Sequence, residues 1–467
     1  MTPRALAPIA LFALMSACAA GETYHAPALF SAPQFRNQTT AAPRQPTLSR
    51  DWWTDFNDPT LNGLEQKAMA QNLDIAAAAS RVMQARAASR AAGAALLPAV
   101  ELDPKAAQAR QSKLGSNGAI VSYFPHYPRS GALYDFNAGA AWELDLFGGL
   151  RRQSQAASAE RKAADAGLSG ARLMVSCDLA DAYIQFRALQ LRLKLAERAR
   201  EIDGHFLELV ELRYQAGQAA RRERDAAEAA LDQASALIPQ LKLGLEGQRN
   251  RIAVLTGTSP EAEQGALEAQ GAIPEPLSVP AGSPADLLRR RPDLIVAERR
   301  LAAADARIGV AIADYYPKIT LQGLTGFEST SASNLFTGAA QQTQGLAGVR
   351  WRLFDFGRVD AEVAAARGKK AEALAAYREA VLRAAEDVED ALAQAQLKAT
   401  QHAELRKAAH ALSAARQSAQ DAYTAGAVSL LEVVDAERQL LQSEDQAAEV
   451  QGEQTRATVA LVRALGG

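Results

Sequence analysis

The chain has 467 residues, with 51 Lys plus Arg against 53 Asp plus Glu and a formal net charge of -2. That balance, with a sequence pI near 6.3, excludes the basic footprint of a nucleic-acid-binding protein. An Ala-, Arg- and Glu-rich composition with only 6% aromatic residues points to long helices rather than several ordinary globular domains.

The chain opens with Arg4, an apolar run from Leu6 to Met15, then Ser16, Ala17 and Cys18. The run is too short to cross a bilayer and reads as the core of a signal peptide, residues 1–17. Small residues before a cysteine resemble a bacterial lipobox, which implies cleavage before Cys18 and a covalent N-acyl and S-diacylglycerol lipid on that residue. Ala19, in place of Asp, fits sorting to the outer membrane, and several acyl chains give stable anchoring. Residues 18–50 are rich in Pro, Ala, Thr and Gln without periodicity, a lipidated tether. The other cysteine, Cys177, lies mid-helix and reads as a small buried apolar side chain.

Asp58 is placed to cap a helix starting at Pro59 and ending near Leu73. A second helix, Asp74 to Leu97, is stopped by Pro98, with Ile75, Ala78, Ala79, Val82, Ala85 and Ala88 as a seam of mostly small residues. After Pro98 the period changes from helix to strand. Phe136, Ala138, Ala140, Trp142, Leu144 and Leu146 alternate with Asn137, Gly139, Ala141, Glu143 and Asp145, after a partner strand from Ala99 to Gln108. From Leu150 to Gln215 there is no proline, and about 66 residues at roughly 1.5 Å each make a helix near 100 Å long. It meets Ala216 and Gly217, where glycine can take the left-handed conformation that ends a helix. A return helix runs from about Ala220 to Thr256, with Pro239 expected to kink it.

The chain then repeats itself. WELDLFGGLRR from Trp142 recurs as WRLFDFGRVDA from Trp351, and Tyr214 recurs as Tyr423, an offset of 209 residues. Asp74 and Pro98 recur as Asp293 and Pro317 at an offset of 219, so ten extra residues lie between Pro98 and Trp142. Such a period marks a duplicated half-protein rather than a short solenoid. The second half offers strands at Lys318 to Glu328 and through Ala347, Val349, Trp351 and Leu353. A proline-free stretch from Val359 to Thr424, a turn at Ala425 and Gly426, and a return helix from Leu430 to Leu465 follow. The domains are therefore residues 51–270, with a β-hairpin at about 99–147 and a helical tip near 217, and residues 271–467, with a β-hairpin at about 318–356 and a tip near 426.

Long strands with apolar/polar alternation fit a transmembrane barrel. Four strands cannot close one, and an open edge in lipid leaves backbone groups unsatisfied. Oligomerisation is therefore required if the strands enter a membrane, eight strands being about the minimum and three chains giving twelve.

DWWTDFNDPTL, NLDIAAAASRVMQARA, WELDLFG, LLRRRPDLIVAERRLAAADARIG, YYPKITL, WRLFDFGR and AGAVSLLEVVDAERQLL resemble the signature stretches of the outer-membrane factor family, TolC/OprM-like, and within it the NodT-type efflux lipoproteins. The resemblance covers the chain from about Asp51 to its C-terminus. It implies a mainly α protein with a small β part, a homotrimer whose twelve-stranded outer-membrane β-barrel continues into a twelve-helix periplasmic tunnel. It also implies the passive exit duct of a tripartite efflux system, with a periplasmic adaptor (membrane-fusion) protein and an inner-membrane resistance-nodulation-division transporter as partners. No enzyme is expected: there is no nucleotide-binding glycine loop and no nucleophile constellation. His25, His126, His205, His402 and His410 are scattered without metal-ligand spacing, and no cofactor is implied besides the lipid.

Site residues follow from the turns. Ala216, Gly217, Ala425, Gly426, Ala427 and Ser429 are small enough to admit a partner's helical hairpin, the adaptor contact that the resemblance implies. Glu432 and Asp435 share one helix face and match the family's acidic constriction, as Leu431 matches a further constriction position. In a trimer the two acids become six carboxylates in a narrow pore, a cation-preferring periplasmic gate. Arg221 and Arg222, with Glu223 equivalent to Glu432, depart from the family pattern and are candidates to latch the gate by pairing with Glu432 or Asp435. The competing reading is a lipid-anchored periplasmic coiled-coil scaffold without a pore.

Overall fold

The computed structural model describes residues 21, 23–27, 34–37, 51–110, 112, 114–115, 123, 130–262, 264–268, 271–279, 284 and 290–467. The signal peptide, Cys18, His126 and most of the tether lie outside the described residues. After a 3-10 turn at Trp52–Phe56, the first half has α1 (Pro59–Gln71), α2 (Leu73–Ala94), β1 (Ala99–Arg110), β2 (Ser130–Leu144), α3 (Gly149–Gln215) and α4 (Arg221–Thr256). A short α5 (Gln264–Glu268) follows. The second half has α6 (Pro292–Ala313), β3 (Lys318–Ser329), β4 (Gln341–Arg350), α7 (Arg358–Thr424) and α8 (Leu430–Leu465). Helices dominate, the sheet is small, and no helix is long and apolar enough to cross a membrane among the described residues.

The duplication is written into the element boundaries. Moving α2 and β1 forward by 219 residues gives the bounds of α6 and β3, and moving α3 and α4 by 209 gives those of α7 and α8. The ten extra residues fall in the connection between β1 and β2. Hydrogen bonds repeat as well: Trp142 Nε1 donates to the Leu96 carbonyl at 2.9 Å and Trp351 Nε1 to the Tyr315 carbonyl at 3.0 Å. Asn72 Nδ2 donates to the Leu255 carbonyl, and Arg291 Nη1 to that of Ala464, its counterpart.

One compact unit comprises residues 1–27, 83–163 and 298–376. It holds a single antiparallel sheet in the order β1-β2-β3-β4, so the two hairpins join through β2 and β3 and leave β1 and β4 as edges. The register puts Glu101, Asp103, Asp135, Asn137, Gln322 and Gln344 on one face. Leu102, Phe136, Trp142, Leu321, Phe327 and Val349 take the other. That is the alternation expected from the sequence. Two strand ends differ from expectation. Leu146 lies beyond β2, and Trp351 and Leu353 lie beyond β4. The partner strand β3 begins at Lys318, opposite Arg350, directly after Pro317, so later residues have no ladder to join within the chain.

The second unit, residues 28–82, 164–297 and 377–467, contains the core. Asp58 Oδ1 accepts from the backbone of Thr60 and Leu61 and caps α1, with Pro59 at its first position. Its Oδ2 accepts from the Tyr183 hydroxyl at 2.6 Å. Burial and then that hydrogen bond push the Tyr183 pKa up to about 12. Asn72 ends α1 and caps α2 by accepting from Asp74 and Ile75. Trp52, Leu61, Leu64, Cys177, Leu179, Ile184, Phe186 and Ile252 are buried together. Along the seam of α2, Ile75, Ala78 and Val82 are buried, whereas Ala88, expected on the same stripe, is exposed. Helix α4 passes through Pro239 without ending.

Candidate functional site: the helical tips and the start of α8

Both long hairpins turn in the same way. At the first tip Gly217 has φ +72° and the Gln218 N–H reaches back to the Arg213 carbonyl at 2.8 Å. At the second, Gly426 has φ +73° and the Ala427 N–H reaches the Ala422 carbonyl at 2.9 Å. These are Schellman-type ends, which satisfy carbonyls that the finished helix orphans. A Cβ on either glycine meets nothing within 4 Å, so the positive φ, not crowding, calls for glycine. Ala216, Gly217, Ala425, Gly426, Ala427 and Ser429 are all exposed.

Helix α8 starts one residue after Ser429, whose side chain makes no cap bond. Leu431, Glu432 and Asp435 are exposed on its first turns, and Val433 and Val434 are buried behind them. The cation nearest Asp435 is Arg438, at 3.5 Å on the same helix. The candidate latch arginines do not reach these acids within the chain. Arg221 lies 3.6 Å from Asp225 one turn along α4, while Arg222 and Glu223 face outward. Near the tip, Arg224 joins the two helices of the first hairpin, 3.0 Å from Glu211 on α3.

Two turns into α8 lies a buried ionic cluster that the sequence reading missed. Glu437 is buried and accepts from Arg198 on α3 at 2.6 Å and from Arg416 on α7. Next to it Arg438 donates to the buried Asp203 of α3 at 2.7 Å and lies 5.5 Å from the centroid of the Phe206 ring. A lone buried carboxylate costs several kcal/mol, and two guanidinium partners offset that cost. The signal was present: Val433, Val434, Glu437, Leu440 and Leu441 follow helical spacing, and Glu437 occupies an inward position of that stripe. The partners, 21 and 239 residues distant, had no local trace.

The site therefore offers exposed small-residue turns, an acidic face at the start of a helix and charge pairs clamping that helix to its neighbours. No group of three or more His, Cys, Asp or Glu side chains placed to hold a metal ion occurs among the described residues.

Comparison with known proteins gives a consistent result. The model of the outer membrane efflux protein family matches residues 64–259 and 284–467. The pyoverdine export outer membrane protein OpmQ of Pseudomonas putida is 33% identical over 429 residues, 92% of this chain and 90% of its own length. Nodulation protein T of Rhizobium leguminosarum bv. viciae is 30% identical over 436 residues, 93% of this chain and 87% of its own length. Among solved structures, the outer-membrane channel OprN has a TM-score of 0.84 at 33% identity, covering 96% of this chain and 98% of its own.

Proposed function

The chain belongs to the outer membrane efflux protein family, and from that membership we propose that it is the homotrimeric exit duct of a tripartite efflux system in the bacterial outer membrane. Substrates delivered by an inner-membrane resistance-nodulation-division transporter and a periplasmic adaptor leave through it passively, without catalysis. The observation that carries this reading is the four-stranded sheet, with one polar face, one apolar face and two unpaired edges. An apolar outer face suits lipid and a polar inner face suits a water-filled lumen. The free edges are admissible in lipid only when neighbouring copies close them, and three copies supply twelve strands. Cys18, acylated after removal of residues 1–17, anchors the chain, and the exposed tip residues of both hairpins receive the adaptor.

Glu432 and Asp435, tripled around the axis, form the periplasmic gate with Leu431 as its apolar ring, and this ring favours cations. Arg221 and Arg222 reach those acids only across a subunit boundary, because within the chain Arg221 has Asp225. Cargo selection belongs to the pump, since a duct needs no substrate-specific pocket.

Extraction of the lipidated protein tests the duct against the coiled-coil scaffold. The duct predicts release only by detergent, as a β-containing, heat-modifiable trimer, even after Cys18→Ala with a cleavable signal. A Cys18→Ala protein that leaves the membrane as a soluble helical rod would establish the scaffold instead.

A further inference from the structure

The two hairpins share one internal register. The pair Ala99↔Ala141 becomes Lys318↔Arg350 when β1 is moved by 219 residues and β2 by 209, and every other β1–β2 pair described in both hairpins follows it. The only seam without a counterpart inside the chain is the one joining the hairpins, β2 to β3, which runs from Tyr134↔Ser329 to Leu144↔Ile319. Its counterpart joins β4 to β1 of another copy. The same two offsets fix that register, from Thr343↔Arg110 to Leu353↔Val100.

On the polar face this register sets Arg350 opposite Asp103 and Arg352 opposite Glu101, whereas the equivalent positions of the internal seam are Ala141↔Gln322 and Glu143↔Thr320. Of these two seams, only the outer one thus sets opposite charges face to face, arginines on β4 against carboxylates on β1. Two β4 edges meeting about a two-fold axis would oppose arginines, and two β1 edges would oppose carboxylates, so the edges select head-to-tail closure. Among the described residues of one chain, Asp103 has only its own strand's Lys105 as an ion-pair partner, and Arg352 lies 3.5 Å from Glu362.

The apolar face supports the same register. It pairs Trp351 with Leu102 and Leu353 with Val100, all four exposed in the single chain. Phe147 is half-buried and stacks on Tyr316, with ring centroids 4.6 Å apart. Its counterpart Phe356 is 103% exposed, and the counterpart of Tyr316 is the exposed Leu97. The alternation through Trp351 and Leu353, which β4 does not follow within the chain, is completed by the same pairing.

Resting on the ring reading above, we infer that the subunits close through an antiparallel β4–β1 seam in which Arg350 meets Asp103 and Arg352 meets Glu101 of the next copy. Disulfide trapping tests it in the full-length protein in its own membrane. Facing residues in this register have Cα atoms about 4.5–5.5 Å apart, within disulfide reach, whereas a two-residue offset puts them about 7 Å or more apart. Leu353→Cys with Val100→Cys should give subunits linked into a closed ring on oxidation, and Leu353→Cys with Leu102→Cys should not. An intact oligomer that bridges at position 102, or at neither position, overturns the register and leaves the ring standing. Wild-type protein that is monomeric by native mass measurement, with no bridge from either pair, removes the ring and the seam together. For the ion pairs, Arg352→Glu should lower the SDS-resistant oligomer several-fold, and adding Glu101→Arg should restore it. Failure of that rescue, with the Val100 bridge still forming, overturns the charge pairing alone.

Discussion

Glu65 sits on α1 with its side chain wholly buried, and neither carboxyl oxygen has a hydrogen-bond partner among the described residues. Burial holds its pKa well above the ordinary carboxylate range. The titratable group that feels its charge is Cys177 on α3, itself pushed up to about 12, chiefly by burial. Because the folded pKa of Glu65 lies above the unfolded one, its contribution to stability is complete below the unfolded value. It is lost as pH rises through the folded value. Denaturation of the detergent-solubilised protein over a pH series should therefore show stability falling as pH rises from the unfolded pKa to the raised folded one, and level beyond it. Glu65→Leu should remove this slope and stabilise the alkaline form by about 1–3 kcal/mol, the cost of a buried unmatched polar group. Equal slopes in the two proteins would contradict the assignment. Nothing in the sequence marked Glu65, since a glutamate on a helix ordinarily faces water; only the packing of α1 into the core decides its burial.

At the scale of elements, most of the fold was legible because helices are written in local chemistry. Asp58 with Pro59, the proline-free stretches and the glycines at 217 and 426 fixed the helix ends to within a few residues. The shortfalls had nonlocal causes. Strand β4 stops at Arg350 because its neighbour begins at Lys318, and Ala88 leaves the buried stripe of α2. The acidic face of Glu432 and Asp435 was legible as a three-residue spacing. The clamp of Glu437 with Arg198 and Arg416 was not, because it depends on which helices come together. The tips yield a direct prediction. Gly217→Ala and Gly426→Ala should each weaken the last helical turn by about 1 kcal/mol through the positive φ, additively because neither added Cβ meets an atom within 4 Å. Hydrogen exchange of the turn amides measures it. Gly63→Ala, in helix α1 with nothing within 4 Å of the added Cβ, should instead stabilise by about 0.5–1 kcal/mol. Equal effects at all three positions would show that backbone conformation is not what selects glycine at the tips.

At the scale of the whole molecule, a duplicated half with one amphipathic hairpin and one long helical pair explains both the repeated hydrogen bonds and the two edges that a single chain leaves open. Duplication makes the internal seam a template for the seam between subunits, and charge at the outer edges gives that seam its direction. The most direct test of the duct is single-channel conductance of the purified, crosslink-verified oligomer in a planar bilayer, for wild type and for Glu432→Ala plus Asp435→Ala. The account predicts small, cation-selective currents in the wild type that rise and lose selectivity in the double variant. Inserted oligomers of both proteins that conduct nothing would contradict the duct, and unchanged conductance and selectivity in the variant would remove the gate from these two carboxylates.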